Sequence, residues 1–537
     1  MTINTLAPEL ILAISSYISS QDCKHLRLTC KQMGNYVADY LLRSIVIDVK
    51  RRNHAATAEQ LRLLSRQQAP VAAVQRLVIK SLSPHDDAEI RRPSQKRPSA
   101  RLSNANVAEA ELGITEEVVY RFLKDALMSL KNVHTVVWTP HGTDTHLAHQ
   151  ILLSSLPGLP SLRHVEINVT HCKIPLDFCS LKSVQSIKYR GISQRFYDDN
   201  MKSVARALFQ LPRLQSLDME CASHPTRPSV EAQNIHYLFS GQEPGDNFQP
   251  KLRHLGLWFY LIRLDSITLP YFRSLTSLEL RNTNEPQLIS SSIQPNAEQP
   301  LDCNSRFDDV WLALRHHQIH LEKISVDLVV PAFLDYLQSY TGVRSLVLSP
   351  RSHSGQSLDE LATRFYQESL SAHATTLQNL AIRAVEEGPW CFSEKYQTEL
   401  SQCQKLVSLH VAIESSQLSG RPYSQLPPES DAVAVLITLA LNSISHLSSI
   451  YIKSVAPNAV RGGRRITAVE EHLSTVENQI MQSIVHYVPP RSCTRTPIIC
   501  VCINQGHNKM ASPAERWFGA RHDPQGTLSY IECVDLY

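Results

Sequence analysis

Glycine is scarce in this chain, 17 in 537 residues, and none falls in a phosphate-cradling pattern. Neither a Walker-type loop nor G-x-G-x-x-G occurs, and G-x-S-x-G and H-E-x-x-H are missing too, so nucleotide binding and motif-bearing hydrolysis have no obvious seat. Twelve cysteines are spread through the sequence without a C-x-x-C pair, which makes free thiols in a reducing compartment the expectation. The longest uncharged apolar run, Ala432 to Leu441, is too short to span a bilayer, and Met1-Thr-Ile-Asn lacks the basic start and apolar core of a signal peptide. Cytoplasm and/or nucleus is therefore the expected location, with no membrane partner. A net charge of +3, from 53 Lys and Arg against 50 Asp and Glu, is too mild to imply a nucleic-acid partner.

What the chain has instead is a repeated pattern. With 43% apolar and 19% charged residues it belongs to the folded class. Its apolar residues recur as Val71/Val74/Leu77/Ile79, Leu130/Val133/Val136/Trp138, Leu159/Leu162/Val165/Ile167, Leu181/Val184/Ile187/Tyr189 and Leu211/Leu214/Leu217/Met219. Further copies follow at Leu252/Leu255/Leu257, Phe272/Leu275/Leu278/Leu280, Leu321/Ile324/Val326, Val343/Leu346/Leu348, Leu377/Leu380/Ile382, Leu406/Leu409/Val411 and Ile444/Leu447/Ile450/Ile452. Each copy closes on apolar-x-apolar, the period of a short strand with one buried face. Helix-like segments lie between copies, at 116–130, 200–211, 307–314, 358–370 and 431–441. Ser357-Leu-Asp-Glu360 and Thr467-Ala-Val-Glu470 have capping-box spacing.

A strand followed by a helix, stacked many times, resembles the leucine-rich repeat solenoid, an α/β architecture with parallel strands on the concave face and helices outside. The resemblance covers roughly 71 to 460. Several copies are spaced more widely than the usual ~20–29 residues and carry insertions. Thr170, Ala222 and Thr283 stand where the family's Asn or Cys is expected. The alternative, a doubly wound α/β domain, would need longer apolar strands.

The first 42 residues read differently. Pro8 suits the first turn of a helix and Glu9 its positive end. Leu10, Ile14 and Ile18 then recur every four residues. After Ser19, Ser20 and Asp22, a second stripe of Leu26, Cys30, Met33 and Val37 predicts a second short amphipathic helix. So small a unit cannot cover both stripes alone, so a partner must cover part of its surface. The order Leu-x-Pro-Glu-Leu, Ile-x-x-Tyr-Ile, Asp, Leu-x-Leu-x-Cys-Lys resembles the F-box of substrate receptors in cullin-RING ubiquitin ligases, as in fungal F-box proteins. That resemblance implies a helical module gripping a Skp-type adaptor, which joins it to the cullin scaffold. It makes Leu6, Pro8, Glu9, Leu10, Ile14, Ile18, Leu26 and Cys30 the adaptor-facing or module-shaping residues. Met33 stands where the family often has Trp or Leu, and Ala7 replaces the commoner Pro. The plain alternative is a helical hairpin packed on its own domain.

The implied organisation is an F-box-like module at 1–45, a linker helix and first repeat at 46–83, a basic Pro/Ser-rich disordered loop at 84–106 containing Ser94 and Ser99, the solenoid at 107–460, and a cap region at 461–537. In the cap region a helix striped by Val469, Leu473, Val476, Ile480 and Ile484 closes the repeats, before final strands at 498–503 and 530–534. Other loops are expected at 221–230, 241–250, 282–300 and 415–430. His316, His317 and His320, and separately His171, Cys172 and Cys179, have loose metal-ligand spacing without a supporting carboxylate, so no metal or cofactor is expected. Cys500 and Cys502 share a strand face and read as small buried thiols.

Period two also names the residues on the opposite face of each strand. Glu166, Lys188, Asp218, Trp258, Glu279, Arg281, Arg383, His410 and Tyr451 are the resulting candidates for contact with a protein substrate. Their mixed signs suit a protein better than a phosphate backbone. The expected function is a non-catalytic substrate-recognition subunit of an SCF-type ligase; the alternative is a repeat scaffold without ubiquitin transfer.

Overall fold

Apolar residues two apart must share one face of a strand, and in the computed structural model of the protein all twelve predicted pairs lie on strands. The structure describes residues 6–15, 17–18, 20–50, 52–66, 71–85, 119–169, 178–192, 197–211, 213–221, 233–239, 251–281, 306–350, 358–419, 431–457, 466–490, 495–503, 514–522 and 528–533. Ser94 and Ser99 with most of the basic loop, His171, Cys172, and the expected loops at 241–250 and 282–300 lie outside the described residues. The chain divides into two compact units, Met1–Pro228 with His236–Gly256, and Ser229–Ile235 with Leu257–Leu536.

Unit 1 opens with three helices where two stripes predict two: α1 (Pro8–Ser15), α2 (Ser20–Thr29) and α3 (Lys31–Leu41). The second stripe is broken at Cys30, whose extended backbone caps α3 while its Sγ accepts from the Met33 N–H at 3.5 Å. A small core of Ile11, Cys23, Met33 and Val37 joins the three, flanked by Leu6, Ile18, Leu26, Tyr36, Tyr40 and Leu41. Gly34 lets α3 approach the preceding helix, since a Cβ there would lie 3.2 Å from the Arg27 carbonyl oxygen.

A strand then begins earlier than the repeat reading predicts. β1 (Ser44–Lys50) crosses the expected boundary at 45/46 because Ile45, Ile47 and Val49 alternate and bury one face. It is followed by α4 (His54–Ser65), β2 (Arg76–His85), a helix α5 at 119–129, β3 (Thr135–Trp138), α6 (His146–Ser155), β4 (His164–Asn168), β5 (Ser186–Ile192), α7 (Tyr197–Gln210) and β6 (Ser216–Cys221). Neighbouring strands are parallel and in register. Ile45, Leu77, Val136, Val165, Ile187 and Leu217 form one line across them, and Ile47, Ile79, Trp138, Ile167, Tyr189 and Met219 form the next. All twelve are buried.

Unit 2 repeats the plan. The short strand β7 (Gln233–Asn234) precedes β8 (His254–Trp258), inside which the boundary between units falls, and pairs in parallel with β9 (Tyr260–Leu261). Then come α8 (Leu269–Phe272), β10 (Ser277–Arg281), α9 (Arg306–His316), β11 (Lys323–Val326), α10 (Pro331–Gln338), β12 (Ser345–Leu348), α11 (Leu358–Arg364), β13 (Asn379–Ile382), α12 (Gln397–Ser401), β14 (Ser408–Ile413), α13 (Ala432–Asn442) and β15 (Ser449–Ser454). The chain ends with α14 (Ile466–His486), β16 (Ile498–Ile503), β17 (Ala514–His522) and β18 (Leu528–Glu532). Leu278, Ile324, Leu346, Leu380, Leu409, Ile450 and Ile499 make an unbroken buried line. β16 is thus one more parallel rung beyond the expected end at 460, and only β17 and β18 turn antiparallel.

Polar hubs fasten the helices to these ladders. Asp431 caps α13 through the Val433 and Ala434 N–H groups and also accepts from Ser419 and from Ser483 of α14. Buried Glu477 of α14 accepts from Ser454 at 2.9 Å. Helix α14 begins at Ile466, so Thr467 lies inside its first turn rather than at its cap. The metal-ligand spacing of His316, His317 and His320 dissolves because α9 ends at His316 and His320 instead stacks on Tyr340 at 4.7 Å. No cluster of three potential metal ligands exists among the described residues.

In unit 1, buried Asp144 plays the corresponding part. One carboxylate oxygen accepts from the Leu82 and Ser83 N–H groups and the Ser81 hydroxyl, the other from the His141 N–H. Burial alone would raise its pKa, but these donors and nearby His149 hold it below the usual aspartate value. Asp144→Ala is expected to destabilise unit 1 by roughly 3 kcal/mol, by stranding buried donors. Because the folded pKa is depressed, the carboxylate's contribution is present above pH ~4 and lost as pH falls further; Asp144→Asn should show less of this loss in urea melts at stepped pH.

Candidate functional site

The helical module buries Ile11 and Ser15 of α1, which turns the Leu10 and Ile14 stripe outward. Leu10 is 53% exposed, Ile14 39%, Tyr17 85% and Leu28 82%, an unusual load of solvent-facing apolar surface for so small a unit. Of the motif residues, Pro8, Glu9, Leu10 and Ile14 are solvent-facing. Leu6, Ile18, Leu26 and Cys30 pack partly against the module's own core. Beside α4, an open apolar groove of about 340 Å³ is lined by Leu42, Ile45, Ala56, Leu63, Leu64 and Val74 among others.

On the strands the outward residues fall where period two predicts, and register decides their neighbours. In unit 1, Glu166, Lys188 and Asp218 lie side by side on adjacent strands. Lys188 stands 3.8 Å from Asp218, and Arg190 reaches Glu166 at 3.4 Å and Glu220 at 3.7 Å. The His254 ring meets Asp218 at 2.9 Å, over Gly256, where a Cβ would come within 2.1 Å of the same carboxylate oxygen. Glycine is required there for this contact. On β4, β5, β6 and β8 the outward charged groups are therefore engaged with one another.

Unit 2 begins the same way. Arg281 pairs with Glu279 at 2.6 Å, donates to Ser325 at 3.2 Å and lies over the Trp258 ring, whose N–H also reaches Glu279. Further along, the balance changes. Ala381, His410, Tyr451, Cys500 and Trp517 form one outward line, and Ala412, Lys453, Cys502 and Glu515 the next. Arg383 sits two residues beyond Ala381 on the same face. The His410 ring stacks on Tyr451 at 5.6 Å, and Trp517 meets Tyr451 edge-on at 5.7 Å.

Basic groups crowd this patch. Burial lowers the Lys453 and Arg383 pKa values, and the neighbouring cations lower them further. Burial, then Arg383 and Lys453, pushes the His410 imidazole down to about 4. The buried Arg383 Nε and His410 Nε2 have no hydrogen-bond partner among the described residues. The Cys500 thiol donates to Cys502, and with Lys453 and Arg383 this holds the Cys502 pKa below the usual thiol value despite burial and Glu515. Arg383, His410 and Tyr451 are thus brought together, with three residues the candidate set lacks. Lys453 lies on the same alternation as Tyr451, two residues further along β15. Cys502 and Trp517 join only because β16 adds a parallel rung and β17 pairs back on it.

No family model matches the chain, and no curated protein matches it. Among solved structures it is similar to the "Crystal structure of TLR13-ssRNA13 complex", at 13% identity and a TM-score of 0.29, covering 73% of this chain and 52% of that one. This chain thus spans about half the length of that one. In each unit the ladders define an α/β array of parallel strands with intervening helices, and in unit 1 a three-helix module precedes it.

Since His410 binds a proton less readily folded than unfolded, its contribution to stability should decline as pH falls from ~6.5 toward 4. Its NMR titration midpoint is expected near 4. In Lys453→Met that midpoint should move up, because a repelling cation is gone.

Proposed function

We propose that this chain is the substrate-recognition subunit of an SCF-type cullin-RING ubiquitin ligase, with the helical module on a Skp-type adaptor and the solenoid on a protein substrate. The observation that carries this reading is the exposed apolar set Leu10, Ile14, Tyr17 and Leu28 on a module whose sequence order resembles the F-box. A covered core of only four fully buried apolar residues leaves this surface to a partner. The solenoid supplies a long outward row of mixed charge and aromatic rings, the anatomy of a protein-binding face. This reading assigns no catalytic residue and no cofactor to the chain, since the transfer chemistry belongs to other subunits. Among the described residues no helix is long and apolar enough to cross a membrane, and the reading places the protein in the cytoplasm and/or nucleus.

A second reading, a repeat scaffold without ubiquitin transfer, draws on the same outward rows. Affinity capture separates the two. The full chain should retain the Skp-type adaptor and, through it, the cullin. Leu10→Asp with Ile14→Asp should reduce adaptor capture by about tenfold or more. Both positions are solvent-facing, so the melting temperature should hold. Adaptor capture without cullin favours the scaffold, and failure of the intact chain to bind any Skp-type adaptor overturns the ligase reading.

A further inference from the structure

On the outward face of unit 2 lie groups that ordinary packing does not place together. Arg383 follows the end of β13 at Ile382, and Lys453 stands on β15 opposite the small buried residue Ala412, near enough for each cation to act on the groups around it. His410 lies on the same face two residues before Ala412, stacked on Tyr451. Arg281 adds a further positive field to Arg383, although Glu279 already holds Arg281. No carboxylate forms an ion pair with Arg383 or Lys453 among the described residues, in contrast to the paired row of unit 1. Partly desolvated like charges cost free energy, and an anion between them recovers it. The Arg383 Nε and His410 Nε2 atoms are buried and lack protein acceptors. Both are left with hydrogen-bonding capacity that a ligand can use.

We propose that Arg383, Lys453 and His410 form a binding site for a compact oxyanion, a carboxylate or a phosphate group carried on the substrate chain, with the Cys502 side chain beside it. The inference rests on the solenoid's being the substrate-binding part of the protein. It adds the chemical class recognised at one place on it. Cys502 faces Lys453 directly across the ladder and takes a hydrogen bond from Cys500. Its sulfur therefore lies beside the same cations that a bound oxyanion would engage. An oxyanion held by Lys453 and Arg383 offsets the positive field that favours ionisation of Cys502 and so makes that thiol less reactive. A guanidinium fork and an ammonium group on facing sides suit an oxyanion with at least two free oxygens. Tyr451 and Trp517 place two aromatic rings next to this cluster.

The test uses the full chain and reads Cys502 alone. Alkylation by iodoacetamide is followed by peptide mass mapping near neutral pH, with chloride, acetate or inorganic phosphate as the anion at constant ionic strength and Cys533 as the internal reference. Acetate, phosphate or both should slow Cys502 alkylation about threefold or more relative to chloride. The protection should vanish in Arg383→Gln and in Lys453→Gln. Protection by both anions points to acidic side chains or a chain terminus as the source; protection by phosphate alone points to a phosphorylated residue. Equal rates in all three salts, an inert Cys502, or protection that survives both substitutions overturns the proposal. If Arg383→Gln does not fold, Lys453→Gln alone decides. Adaptor capture by α1 does not pass through these residues, so a negative result with capture intact removes this inference and leaves the ligase reading standing.

Discussion

A parallel ladder in register leaves each residue no freedom over which face it takes or which neighbours it meets. Leu278, Ile324, Leu346, Leu380, Leu409, Ile450 and Ile499 line up across seven strands, and a slip of one residue in any of them would exchange its buried and solvent faces. The helices pack on the apolar side, so the polar side of every strand is left as surface. The placement of Lys188 beside Asp218, or of His410 beside Tyr451, is a by-product of aligning leucines. Whatever the outward face recognises is written on a grid that the core lays down.

That grid carries two different electrostatic states. In unit 1, Glu166, Arg190, Glu220, Lys188, Asp218 and His254 satisfy one another, so a partner must compete with pairs already made. Such half-exposed pairs contribute little stability, but they cancel the local field. Around Arg383 and Lys453 the field is not cancelled, and the consequences appear in the chemistry of His410 and Cys502. The two units share a plan of folding and differ in what they ask of a ligand.

The N-terminal module follows another rule. Its helices are too short to hold themselves by backbone bonding alone, and four fully buried apolar residues form its centre. With Ile11 inward, Leu10 and Ile14 are spent on the outside. A helix of eight residues thus keeps apolar side chains in water, the feature on which the adaptor-binding proposal rests.

Much of this was readable from the chain alone. Period two placed twelve strands, periodic apolar spacing placed the helices at 307–314 and 431–441 within two residues, and Pro8 with Glu9 marked the start of α1. These are local properties, decided by the backbone geometry of a few neighbouring residues. The break at Cys30 was hidden because α2 and α3 continue one helical stripe, and only the chain's turn shows the thiol acting as a cap. β16 escapes the repeat pattern because Thr496 stands where its preceding apolar residue would be, whereas β1 has that residue, Leu42, at the very end of the N-terminal helices that set the expected boundary. The outward residues could be named, but not their partners: Glu279 with Trp258, Asp218 with His254, Cys502 with Lys453. Those pairs join residues far apart in sequence, and their meeting depends on register across strands. The sequence by itself determined which side chains point out; the tertiary structure decided which charges meet and which, among the described residues, form no ion pair with a carboxylate, because electrostatic energy depends on distance in space and not on separation along the chain.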